Sequence, residues 1–77
     1  MQSEAIAELI RSGLPDAQVK VVSDDGTHFA ALVVSSRFEG LRPIQRHQLV
    51  YKALGDKMGG DIHALSIRAL TPAEQGG

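Results

Sequence analysis

Seventy-seven residues, 43% of them apolar, are enough for one domain with one modest core, and leave no room for a second module. The chain has no cysteine, which excludes disulfides, thiol nucleophiles and any all-cysteine metal site built by this chain alone. The formal charge of −1 hides a positive middle, because residues 37–57 carry five basic and two acidic side chains while residues 1–36 carry two and five.

That middle suits a polyanion or an acidic partner, although a pI near 6.2 is low for nucleic acid. The N-terminal apolar positions are interrupted by Glu4, Glu8 and Arg11, so no membrane span or signal peptide is read there. A soluble, cytoplasmic protein is the expectation.

Ile6, Leu9, Ile10 and Leu14 recur at helical spacing and predict a helix over residues 4–12, with Ser3 as N-cap and Gly13 and Pro15 as stops. Val19 to Val22 and Phe29 to Val34 read as two strands around Asp24-Asp25-Gly26. A two-residue turn would set Val19 and Val21 on the face of His28, Ala30 and Leu32. A three-residue loop with Gly26 in the left-handed region is preferred. It pairs Val21 with Phe29 and Val19 with Ala31, and sends Lys20 and His28 to the outer face.

Arg37-Phe38-Glu39-Gly40 breaks the second strand, and Pro43 fits the first turn of a helix over residues 43–54. Ile44, His47, Val50, Tyr51 and Leu54 form its expected apolar stripe, opposite Gln45, Gln48 and Lys52. Gly55 and the Gly59-Gly60 pair bracket Asp56-Lys57-Met58, read as one helical turn. A third strand is expected from Ile62 to Leu70, with Leu65, Ile67 and Ala69 on one face. Thr71-Pro72-Ala73-Glu74 looks like the cap and first turn of a last helix. The order is α-β-β-α-(α)-β-(α), an α/β (α+β) chain with a three-stranded mixed sheet and helices on one face. The long crossover implies that strands two and three run parallel. If they are neighbours, His63 lies close to His28 and to the Asp24–Gly26 loop.

Several blocks in this order resemble the BolA family: Thr27-His28-Phe29, Val33 to Gly40, Gln45 to Tyr51, Ile62 to Ile67, and Leu70-Thr71-Pro72. The short hairpin loop and the Thr-Pro-Ala-Glu ending look most like its bacterial IbaG (YrbA) type. The resemblance implies a class II KH-like fold over residues 1–77. It also implies a non-enzymatic partner of monothiol glutaredoxins that shares a bridging [2Fe–2S] cluster with that partner and glutathione. By the same resemblance His63 is the cluster-binding histidine. A neutral imidazole can replace thiolate at such an iron. The second family ligand comes from the hairpin loop, at Asp24 or Asp25 here, with His28 nearby as the candidate and carboxylate the harder, poorer match.

The family is also described as a transcriptional regulator, and Arg42, Arg46, Lys52 and Lys57 are the side chains that would contact phosphates. Gly55 to Gly59 has three residues between its glycines, where an RNA-clamping Gly-x-x-Gly loop has two. Phe29, Phe38 and Tyr51 fall mostly at core positions, so no stacking platform is expected. Nucleic-acid binding through segment 42–57 is thus the alternative to iron–sulfur work. No spacing suggests a hydrolytic triad around His47, which reads as a packed histidine, and no small-molecule substrate is implied.

Overall fold

The structure, a computed structural model, describes residues 2–57 and 64–76. Helix α1 (Ser3–Gly13) is followed by strands β1 (Gln18–Val22) and β2 (His28–Val34), then helix α2 (Pro43–Leu54), strand β3 (Ala64–Leu70) and helix α3 (Pro72–Gly76). Short 3-10 turns occupy Ser36–Phe38 and Gly55–Lys57. The sheet order is β1-β2-β3, with β1 antiparallel and β3 parallel to the central strand. This is the expected mixed sheet. None of the helices among the described residues is long and apolar enough to cross a membrane.

Alternation along β2 sets the layers. Phe29, Ala31 and Val33 are buried and join Ile6, Ile10 and Leu14 of α1 with Val50 and Leu54 of α2 in one core. Leu65, Ile67 and Ala69 of β3 pack against it, as expected. Ala30, Ser66 and Arg68 point the other way and are exposed. Phe38, wholly buried, plugs the core from the 3-10 turn.

The hairpin register corrects the preferred loop. Val21 pairs with Ala31 and Val19 with Val33, so the connection is the five residues Ser23 to Thr27. Side chains explain the longer loop. Asp25 and Ser23 satisfy the backbone N–H groups that a tighter turn would have paired in the ladder. Because the slip from the expected pairing is two residues, every side chain keeps its expected face. Gly26 does sit in the left-handed region, at φ 75°.

Helix α2 has the expected bounds, with Pro43 in its first turn and Gln45 Oε1 accepting the Arg42 N–H at 2.9 Å. Its buried stripe is rotated from the expected one. Val50 and Leu54 are buried, but Ile44 and Tyr51 are 66% and 41% exposed. The cause is a second neighbour: α2 packs on α1 as well as on the sheet. Gly13, expected as a stop signal, is the last residue of α1 and also faces Ala53, where an added Cβ would stand 2.5 Å from the Ala53 Cβ. Ser3 is likewise not the cap. Gln2 takes the extended cap conformation, and its carbonyl accepts the N–H groups of Ala5 and Ile6.

Gly13→Ala should therefore destabilise the fold. The alanine gains roughly 0.5–1 kcal/mol of helix preference, but forcing two packed helices apart costs about 1–3 kcal/mol. The expected result is a melting temperature lower by about 5 °C or more. Ala53→Gly in the same chain should recover part of that loss, a coupling read from a double-mutant cycle in thermal melts.

Candidate functional site

The loop between β1 and β2 is closed by two short polar side chains. Ser23 Oγ donates to the His28 carbonyl at 2.6 Å and accepts the Gly26 N–H at 2.9 Å. Asp25 Oδ1 accepts the N–H groups of Thr27 and His28 at 2.9 and 2.8 Å. Its other oxygen, Oδ2, lies 2.8 Å from His28 Nδ1. The backbone N–H of His28, then its imidazole, then the Thr27 N–H hold the Asp25 carboxyl well below the usual carboxylate range. An ionised carboxylate only accepts, so the neutral imidazole carries its proton on Nδ1 and keeps the Nε2 lone pair. With 72% of its side chain exposed, His28 presents that nitrogen to an incoming group.

This is the arrangement by which proteins orient a metal-binding histidine through a carboxylate on its other nitrogen. It also separates the roles of the loop residues. Asp25 is fully engaged as the orienting group, and Asp24 is exposed beside it. A shallow groove of about 220 Å³ adjoins the imidazole, lined by Val22, Ser23, Asp24, His28, Ala30 and Ser66. His63 lies outside the described residues. Ala64, which follows it in sequence, is the residue paired with His28 across the parallel ladder. Among the described residues no three of His, Cys, Asp or Glu are grouped to hold a metal ion.

The four cations of segment 42–57 part company. Arg42, Lys52 and Lys57 are exposed, but the Arg46 side chain is only 12% exposed. Its guanidinium donates to the carbonyls of Leu41 and Ala69 at 3.0 and 3.1 Å and to both Glu74 oxygens at 2.7 and 3.3 Å. It also stands 6.0 Å from the centre of the Phe38 ring. Arg46 is thus a clasp joining α2, β3 and α3, a correction to its place on a phosphate-binding face. Glu74 completes the expected capping box of α3: it accepts the Thr71 N–H at 2.8 Å while Thr71 Oγ1 accepts the Glu74 N–H at 3.1 Å.

Asp16 went unremarked in the sequence. It accepts the hydroxyls of Ser35 and Ser36 and the Ser36 N–H, all within 3.0 Å, and so fixes the turn after β2. The hydrogen bond from buried Ser35 is the main cause lowering its pKa. No local spacing betrays that contact, which spans 19 residues. The Asp25–His28 bond was likewise not read from the sequence, although an acid three residues ahead of a histidine in a turn was a local signal for it.

A family profile described as "BolA-like protein" matches residues 10–74. Among curated relatives, human BolA-like protein 1 is 62% identical over 48 residues, which are 62% of this chain and 35% of the human protein. The DNA-binding transcriptional regulator BolA of Vibrio cholerae is 50% identical over 48 residues, 62% of this chain and 45% of the relative. The matched stretches thus span less than half the length of either relative. The solved structure of a bolA protein homologue from Coxiella burnetii aligns with a TM-score of 0.90 at 41% identity, covering 100% of this chain and 99% of that one.

The Arg46–Glu74 clasp has an acid signature. Hydrogen bonding from Arg46, then from the Thr71 N–H, lowers the Glu74 pKa to about 2. A depressed carboxylate contributes stability that is fully present above its ordinary pKa of 4.5 and lost as pH falls toward 2. Glu74→Gln should be less stable than wild type at neutral pH, and the two stability curves should converge in acid. Denaturant titrations at a series of pH values read this directly.

Proposed function

The chain belongs to the BolA-like protein family, and we propose that it is a non-enzymatic iron–sulfur accessory protein that completes a shared [2Fe–2S] site with a monothiol glutaredoxin. One observation carries the reading. His28 is held by Asp25 with Nε2 outward, at the end of the β2–β3 pair where Ala64 lies opposite it. His63 immediately precedes Ala64 in the sequence.

The donors available fit such a group as half a site. Imidazole nitrogens replace thiolate at one iron of a [2Fe–2S] centre. The chain has no cysteine, so the thiolates come from the glutaredoxin and glutathione. His63 and His28 would hold the near iron, Asp25 would set the His28 tautomer, and the cluster when bound supplies one-electron redox chemistry. Because a protonated imidazole cannot ligate iron, binding by these residues weakens in acid. As family relatives, SufE-like protein 1 and a solved BolA domain of SufE1, both from Arabidopsis thaliana, show that the domain also occurs joined to other protein.

The Vibrio relative's name supports a second reading, DNA binding, through exposed Arg42, Lys52 and Lys57. With Arg46 committed to the fold, the second reading has three phosphate contacts at most in this segment.

Anaerobic reconstitution with a monothiol glutaredoxin and glutathione tests the first reading. Visible absorption and circular dichroism of the mixture should change in His63→Ala and His28→Ala relative to wild type, while both variants melt normally alone. Spectra indistinguishable from wild type would remove the ligand assignment. Under the DNA reading, replacing Arg42 or Lys52 by alanine would each lower the slope of log affinity against log salt by about 1.

A further inference from the structure

The helices that build the core cover one face of the sheet, and the other face carries an apolar strip flanked by two cations. The register places Lys20, Leu32 and Arg68 in one row across the three strands, and Val22, Ala30 and Ser66 in the next. Between them runs a groove of about 340 Å³ lined by Lys20, Val22, Ala30, Leu32 and Arg68. Val22 is 50% exposed there. Neither Lys20 nor Arg68 makes an ion pair or hydrogen bond among the described residues, and no acidic side chain stands on the strands of this face.

We infer that this face docks an acidic amphipathic helix of a partner protein. Its apolar residues would lie on Val22, Ala30 and Leu32, and its carboxylates would reach Lys20 and Arg68. The spacing agrees with that occupant. Lys20 and Arg68 sit two strands apart, about 10 Å at the backbone, and residues i and i+7 of a helix are separated by about 10.5 Å along its axis. Leucines at i+3 and i+4 between such a pair fall over Leu32. A second copy of this chain is disfavoured as occupant, because two such faces would set four cations against one another across an apolar seam. Val22 and Ala30 also border the groove beside His28, but neither cation is a cluster ligand, and the inference does not depend on the iron–sulfur reading.

The test uses isotope-labelled full-length protein and a synthetic helical peptide of about 15 residues with glutamates at i and i+7 and leucines at i+3 and i+4. Amide shifts should gather on Val22, Ala30, Leu32 and Ser66. Lys20→Glu with Arg68→Glu should weaken binding at least about tenfold. A peptide carrying lysines for the glutamates should bind that double variant better than it binds wild type. Binding is measured on the cluster-free protein in the absence of glutaredoxin and glutathione, which keeps this result separate from cluster binding. Shifts centred on α2, or equal weakening by Lys52→Glu on the helical side, would overturn the assignment. So would binding to phosphatidylcholine–phosphatidylglycerol vesicles through Lys20 and Arg68 with no peptide shift, or self-association of the wild-type chain through this face that excludes the peptide.

Discussion

Among the described residues strand β2 is the one strand paired on both sides, and its register decides where everything else lies. Antiparallel pairing with β1 turns the chain back at Ser23–Thr27, and parallel pairing with β3 brings the start of a strand 36 residues later beside His28. The same alternation sends Phe29, Ala31 and Val33 into the core and His28, Ala30 and Leu32 outward. A slip of one residue would bury the imidazole and expose the phenyl ring, at a cost no surface contact could offset. The site is therefore a consequence of core packing. The imidazole is outward because Phe29 is inward.

Three acids hold the ends of elements in place by similar means. Asp16 fixes the turn after β2, Asp25 closes the hairpin, and Glu74 caps α3, each accepting at least one backbone N–H group. Each has its pKa lowered by hydrogen bonds. Arg46 extends this to the sheet edge. The Leu70 carbonyl accepts the Ser35 N–H on the β2 side, so by strand alternation the neighbouring Ala69 carbonyl faces the free edge. The guanidinium fills that acceptor and blunts part of an edge that could otherwise recruit another strand.

Periodicity and turn chemistry made most of the architecture legible. The bounds of α2, the parallel crossover, the faces of β3 and the Thr71–Glu74 capping box all follow from spacing over a few residues. What escaped depends on contacts between elements. The rotation of α2 came from its second neighbour, which also gave Gly13 its packing role opposite Ala53. Arg46 read as one more cation because neither the Ala69 carbonyl nor Glu74, 28 residues away, shows in the local pattern. Asp16 was silent for the same reason. Of the candidate site, His28, its outward face and the place of its loop were readable, but not the loop's length. The hairpin register was not, since two side chains standing in for ladder hydrogen bonds leave no periodic signal. His63 rests on sequence and family alone.

A chain this short buries only about 60% of the surface its unfolded form exposes, and that limit shapes the outer face. With α1 and α2 both spent on the inner layer, no long helix among the described residues covers Val22, Ala30 and Leu32. Leaving them bare invites pairing between copies, and Lys20 and Arg68 stand where that pairing would have to form. Charges at the margin of an apolar strip repel its own kind and admit the opposite sign. The flanking cations thus protect an incomplete core and select what is allowed to finish it.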